Sequence, residues 1–484
     1  MDIVHVSPEL APFSKIGGLG DVAAALPVAQ KAAGHKVTVL SPRYGGLDTT
    51  ALGFARRLVK VKFAMGSGPV SADVHEGRLP SGLDVVLLGV PGVSDRPGVY
   101  GEGASGYPDN HLRFGAFARA VVGWLRLQPK LPEVLHLHDW TGGIVPALLK
   151  EAAAEDPRFA AVKTVFTLHN LAHQGRFSPA TLADLGLGAQ YAAHDAWEFY
   201  GDISWMKAAV LGADEVVTVS PTYAREVLTP AMGHAMDGIL KAQRPNLEGI
   251  LNGIDTRTWD PATDPHLAVH FGPSVLVGKR RNKTALQARL GLAQRPEAAV
   301  LGLVARLDPQ KGVDLVVEAA AQLVRQDLQL VVQGAGDPAL SAALQSLARA
   351  LPDRVFYTDA RDEALAHQIY AASDFFLVPS RFEPCGLTQM YAMRYGAVPI
   401  VRATGGLVDT VIDLDPSLQT GTGFVFEAAS AEALAGAVGR ALTAYQHPGF
   451  SQVITRVMRQ DHGWERAARH YLTRYEALLA PASA

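Results

Sequence analysis

Cysteine is almost missing from this chain: Cys385 is the single one among 484 residues. No disulfide can form within the chain, and no structural zinc site can be built from cysteines. A reducing, cytoplasmic compartment is therefore expected. An excess of either charge is lacking too, since 44 Lys and Arg face 47 Asp and Glu for a net of −3. That balance argues against a protein that wraps nucleic acid, or coats an anionic membrane, through bulk charge. Apolar runs of the roughly 18 residues needed to span a bilayer do not occur. The opening Met1-Asp2-Ile3-Val4-His5-Val6-Ser7 carries an acid and alternates like a strand, so no secretory signal is expected. Tandem repeats and low-complexity tracts are also absent, and 48% hydrophobic with 19% charged residues is ordinary globular usage.

At about 150 residues per domain, the length predicts two or three compact units. Short β-branched runs recur, each followed by a turn and an Ala/Leu-rich helical stretch, the pattern of parallel sheets with crossover helices. In the first half the strands fall at 3–7, 36–40, 85–88, 134–138, 164–169 and 215–219; in the second at 299–305, 328–333, 354–357, 375–379 and 398–401. A polar, Pro-interrupted stretch from Arg244 to Pro273 separates the halves. The expected division is residues 1–245 and 246–459, with a last apolar helix in 460–484 (Trp464 to Leu479) packing back on the first half. Such doubly wound sheets bind ligands at their strand carboxyl ends, so function should sit in the loops after strands.

Several of those loops carry chemistry. Lys15-Ile16-Gly17-Gly18-Leu19-Gly20-Asp21 leads into a helix, where glycines allow close backbone approach and helix-start amides favour an anion. A tight turn with a solvated Lys15 is the plainer alternative. Thr404-Gly405-Gly406 repeats the arrangement in the second half, whereas Gly334-Ala335-Gly336 reads as a plain turn. Arg306 and Lys311 lie five residues apart in one loop, where a bidentate fork and a point charge can converge on a diphosphate. Glu383, in Ser380-Arg381-Phe382-Glu383-Pro384-Cys385-Gly386-Leu387, is placed to accept from sugar hydroxyls, or else to pair with Arg381. No base accompanies Cys385, which argues against a nucleophile. His136 and His138 share a strand face before Asp139, and His169 and His173 stand at i and i+4, with Asn170 where a zinc protease has Glu. These histidines read as polar lining of a sugar site rather than as ligands; no metal and no cofactor is expected.

Taken in order, these pieces resemble the bacterial glycogen synthases and the related plant starch synthases nearly end to end. The resemblance rests on Lys15 to Leu19, His138-Asp139-Trp140, Thr167-Leu168-His169-Asn170, Val219-Ser220-Pro221-Thr222-Tyr223-Ala224, Leu251-Asn252-Gly253-Ile254-Asp255, Arg306 with Lys311-Gly312, Pro379 to Gln389, and Thr404 to Leu407. It implies an α/β fold of GT-B type, two Rossmann-like doubly wound parallel-sheet domains around a deep cleft. It also implies retaining transfer of glucose from ADP-glucose to the non-reducing end of an α-1,4-glucan such as glycogen. In that picture Arg306 and Lys311 hold the diphosphate, while Lys15, Gly17, Gly18 and Asp21 serve the donor-sugar loop. Asp139, His169 and Asn170 serve the glucose and acceptor side, and Asn252 is a further substrate-binding position. Glu383, with Cys385, Gly386 and Leu387 beside it and Thr404, Gly405 and Gly406 opposite, binds the donor sugar. No nucleic acid or membrane partner is implied, and oligomeric state is left open.

Two positions depart from the wider pattern. Tyr391 stands where related retaining transferases carry a second Glu, with Gln389 the nearby polar group, and Ala360-Arg361 replaces a Gly-Tyr pair whose Tyr stacks on adenine. The guanidinium of Arg361 can stack on a base as well, so a same-fold transferase using UDP-glucose, or another acceptor, is the alternative. A metal-dependent hydrolase and a non-catalytic glucan-binding protein are the readings from other classes.

Overall fold

The computed structural model describes residues 1–102 and 105–481. The chain divides into two compact units, Met1–Gly253 with Trp464–Ala484, and Ile254–Gly463. The first therefore runs eight residues past the expected 245. The physical reason is that Glu248–Gly249 pairs in parallel with Glu215–Thr218 and becomes the last strand of the first sheet. Of the expected terminal segment, 482–484 lie outside the described residues. Among the described residues no helix is long and apolar enough to cross a membrane.

In the first unit the parallel strands run in spatial order 248–249, 215–218, 163–168, 134–138, 2–6, 36–42 and 84–89. Numbered along the chain, that order is 7-6-5-4-1-2-3. An antiparallel extension, Gly68–Arg78 with Val61–Met65 and Ala55–Arg56, continues past 84–89. The strand pattern does not announce it, because its longest strand, GPVSADVHEGR, is polar, interrupted by Pro and Gly, and half exposed. The second unit holds a six-stranded parallel sheet in order 355–358, 328–333, 299–304, 375–378, 398–402 and 424–426, which is 3-2-1-4-5-6. Each unit thus reverses strand order between its first and fourth parallel strands, and such a switch point opens a crevice at the carboxyl ends.

Two helices of the first unit pack together over its sheet. Gly18–Ala32 buries Leu19, Val22, Ala23, Leu26 and Gln30, a stripe at i, i+3 and i+4 spacing that happens to include one amide. Trp464–Leu479 buries Trp464, Ala467, Ala468, Tyr471, Leu472 and Tyr475 in the same rhythm. Both stripes enter one core with Ile3, Val37, Val134, Val165 and Val217 from the sheet. The terminal helix is thus structural to the first unit although more than 200 residues separate it from the strands it covers. Truncating Trp464 to Ala should cost about 3–5 kcal/mol, the range for a buried indole, read by urea unfolding followed by circular dichroism. A loss under about 1 kcal/mol would mean the helix is only loosely attached.

Candidate active site

The residues singled out in the second unit gather at its switch point. Arg306 and Lys311 lie in the loop after strand 299–304, and Glu383 in the loop after strand 375–378. Lys311 Nζ donates to both carboxylate oxygens of Glu383, at 3.0 and 2.7 Å, and Ser380 Oγ donates to Oε2 at 2.8 Å. The carboxylate is buried, so this pairing offsets its desolvation. Glu383 does not pair with Arg381, which instead clamps Asp314 with both guanidinium nitrogens, at 2.7 and 2.6 Å. The Lys311 turn is tied down by Asp308, which caps its backbone N–H at 3.1 Å. Arg306 reaches Asp308 at 3.3 Å and leaves 43% of its side chain exposed, against 21% for Lys311. Of the two cations, Arg306 is the more available to an arriving anion.

Gly405 and Gly406 serve a purpose the sequence does not disclose. A Cβ on Gly405, whose φ is +46°, would lie 2.0 Å from the Glu383 carbonyl oxygen, and one on Gly406 would lie 2.1 Å from that of Cys385. The Gly406 N–H donates to the Glu383 carbonyl at 3.0 Å. The pair therefore lets two backbones touch and holds the Glu383–Cys385 loop, so the Gly406 amide is already engaged. Thr404 and Cys385 are buried beside it. Gly386 adopts φ +73° over Gln389, whose Nε2 donates to the Gly386 carbonyl at 2.8 Å, and Leu387 is buried next in the chain.

In the first unit the Gly17 loop follows strand 2–6, and Asp139 follows strand 134–138, again the two strands at the switch point. A Cβ on Gly17 would meet nothing within 4 Å, so here the space beside the glycine is open. Gly18 begins the helix and Lys15 pairs with Asp21 at 2.8 Å. The amides of Ile16 and Gly17 are occupied by an internal anion: both donate to Glu9 Oε2, at 2.8 and 3.0 Å, while Tyr100 OH donates to Oε1 at 2.9 Å. Burial pushes the Glu9 carboxyl up, against those hydrogen bonds. Glu9 shapes this loop and has no motif to mark it; a lone acid just beyond the first strand is the available signal.

Asp139 adopts φ 57° and ψ 179°, a strained backbone for a residue with a side chain. Its Oδ1 accepts the backbone N–H groups of His169 at 2.9 Å and Asn170 at 3.3 Å. Burial raises its carboxyl to about 7 despite those bonds. Asn252 is buried too, and its Oδ1 finds no partner among the described residues. Nearby, Tyr107, Trp140, His173, Gln174, Arg176 and Phe177 help line a cavity of about 630 Å³.

Beneath His169 lies a set of buried histidines. His5, His136 and His138 are fully buried and close enough to be considered as a metal triad. Every ring nitrogen of the three nevertheless faces another side chain. His5 meets Gln30 at 2.7 Å and His138 at 3.0 Å; His138 meets His169 at 2.9 Å; His136 meets Thr167 and Tyr475, each at 2.6 Å.

A family model for the starch synthase catalytic domain matches residues 2–242, and one for glycosyl transferases group 1 matches residues 288–448. A glycogen synthase of Anaeromyxobacter dehalogenans (strain 2CP-C) is 46% identical over 483 residues, 99% of this chain and 100% of that one. The chain belongs to the starch and glycogen synthase family of glycosyltransferases. Another glycogen synthase, from Geotalea uraniireducens (strain Rf4), is 40% identical over 99% of both chains. Among solved structures, the catalytic domain of starch synthase IV from Arabidopsis thaliana, bound to ADP and acarbose, aligns with a TM-score of 0.91 at 33% identity over 99% of each chain.

For this member of the family, the buried histidines set a pH dependence of stability. Burial lowers His5 to about 4 and His169 to about 3, and holds His136 and His138 well below the ordinary value. Unfolding restores all four to about 6.5, so below that pH the unfolded chain binds more protons and stability falls with the pH. Asp139 and Glu9, both raised, act in the opposite sense over part of the same window. The four lowered histidines outnumber the two raised carboxyls, so on balance unfolding takes up protons and stability falls as the pH drops below about 6.5. Urea unfolding at pH 6.5 and 5.5 should show that loss, and equal stability at the two values would contradict it.

Proposed function

We propose that this glycosyltransferase moves glucose from ADP-glucose to the non-reducing end of an α-1,4-glucan, with retention at the anomeric carbon. The observation that carries the reading is the Arg306, Lys311 and Glu383 constellation at the switch point of the second sheet. It combines fixed positive charge for a diphosphate with a buried carboxylate able to accept from sugar hydroxyls. As the bond from C1 to the diphosphate oxygen breaks, the acceptor hydroxyl attacks from the same face. Its proton passes to the departing diphosphate, whose charge Arg306 and Lys311 hold; electrostatic stabilisation of this kind needs no reorganisation during the reaction. His169 supports the oxocarbenium-like state with its backbone carbonyl and side chain. Asp139, held at an ionisation point near neutrality, and Asn170 accept from glucose or acceptor hydroxyls. The aromatic and polar walls of the cavity around Trp140 and Phe177 suit the acceptor chain. A cytoplasmic location goes with this reading, because one buried thiol suits a reducing compartment.

Arg306→Ala and Lys311→Ala should each lower turnover by about 10²-fold or more, the scale of losing one charge-stabilising donor, with glycogen binding retained. Lys311→Ala also strips the counter-charge from buried Glu383, so its turnover must be referred to the folded fraction. Unchanged turnover in both variants would remove this account of the leaving group.

The UDP-glucose alternative has a feature of its own. Arg361 is exposed beyond strand 355–358, in a loop held by Gln333 Nε2, which donates to the carbonyls of Ala360 at 3.1 Å and Asp362 at 2.6 Å. A guanidinium plane on a fixed loop can stack on either base. Nucleotide release measured with glycogen and each donor should be faster for ADP-glucose; faster release from UDP-glucose would reverse the assignment.

A further inference from the structure

The histidines beneath His169 form a chain whose proton direction can be worked out from one end. Gln30 Oε1 lies 2.7 Å from His5 Nε2, while Gln30 Nε2 donates to Tyr475 OH at 3.2 Å. His5 Nδ1 lies 3.0 Å from His138 Nε2, and His138 Nδ1 lies 2.9 Å from His169 Nε2. A side-chain amide cannot exchange its donor and acceptor atoms by moving a proton, whereas each imidazole and hydroxyl of this network can. Gln30, His5, His138 and Tyr475 are all fully buried, and each partner the network needs is a side chain of the fold.

An amide oxygen only accepts, so His5 carries its proton on Nε2. A neutral His5 then accepts at Nδ1, which requires the proton of His138 on Nε2. His138 in turn accepts at Nδ1, which places the proton of His169 on Nε2. The Nδ1 of His169 is left with a lone pair and has no hydrogen-bond partner among the described residues. On the other arm, Tyr475 OH accepts from Gln30 and donates to His136 Nδ1 at 2.6 Å, and His136 Nε2 donates to Thr167 Oγ1 at 2.6 Å. The opposite direction would need the Gln30 amide turned over, with Nε2 toward His5 and Oε1 toward Tyr475.

We infer that Gln30 is a positioning residue which, acting through His5 and His138, fixes His169 as the Nε2–H tautomer with Nδ1 turned to the sugar as a hydrogen-bond acceptor. This rests on the reading of His169 as a residue that faces the transferred glucose. Gln30 lies on the helix that begins at the Gly17 loop, and Tyr475 lies on the terminal helix. The protonation pattern of His169 is therefore set from the helix of Gln30, which does not carry it, while Tyr475 on the terminal helix sets that of His136.

Two-bond proton–nitrogen correlation spectra of the full-length, histidine-labelled protein, without substrate, read each tautomer directly. The wild type should show Nε2–H at His5, His138 and His169, with the His169 signals identified by their loss in His169→Asn. Gln30→Met, which keeps the length but removes the fixed acceptor, should shift His169 toward a mixture of tautomers. It should also lower kcat by about two- to tenfold, the span for weakening one neutral hydrogen bond. Tyr475→Phe spares the bond from Gln30 to His5 and should leave those three tautomers as they are while releasing His136. Nδ1–H at His169 in the wild type overturns the inference even if Gln30→Met does not fold. So does a Gln30→Met spectrum unchanged at all three histidines, or a His169 tautomer that changes in Tyr475→Phe. A His169→Ala enzyme with full turnover would instead remove the role of His169 while leaving the spectra, and with them the relay, intact.

Discussion

Parallel strands covered by helices on both faces have only their carboxyl ends left for displaying polar groups, and this constraint organises each unit of the protein. Within each sheet the order reverses between the first and fourth strands, so the loops leaving those two strands diverge and leave room for a ligand. The Gly17 and Asp139 loops occupy these positions in the first unit, and the Arg306–Lys311 and Glu383 loops occupy them in the second. In this member of the starch and glycogen synthase family the polar loops thus come from the few segments that the sheet does not need for its own core.

Burying polar groups there requires compensation, and the compensation is specific. Glu383 is met by Lys311 and Ser380, Glu9 by two backbone amides and Tyr100, and Asp139 by the amides of His169 and Asn170. The three carboxyls differ in what they gain: Glu383 has a cation, whereas Glu9 and Asp139 have neutral donors only, and burial raises both. The histidines take the other course and remain neutral, each satisfying its neighbour.

Much of the fold was legible. Every parallel strand expected from the β-branched runs is present within a residue or two, because strands buried on both faces read as continuous apolar segments whatever their neighbours. The edge hairpin 61–78 escaped because it is polar and only partly buried, and strand 424–426 because three residues, though Phe424 and Phe426 are buried, are too few to show a pattern. Placement of the candidate site was legible where it is local: Arg306 and Lys311 share one loop, and His169-Asn170 follow a strand end. It was not legible where partners come from afar. Glu383 lay equally open to Arg381, two residues away, and the structure gives it Lys311, 72 residues away. The glycines at 405 and 406, expected in a ligand-binding loop, also lie where one backbone crosses another, which nothing near them in the chain announces.

The sequence by itself therefore determined the class of the protein: two parallel α/β units, a single loop carrying both Arg306 and Lys311, and polar loops after the strands. All of that comes from periodicity and from residues close together in the chain. Only the tertiary structure decided which charges pair, which loop amides are already engaged, and that Gln30, one polar residue on an otherwise apolar helix stripe, lies against His5 and Tyr475. Those outcomes depend on distances between segments tens to hundreds of residues apart, and burial makes each of them matter, because a polar atom removed from water must find its partner within the fold.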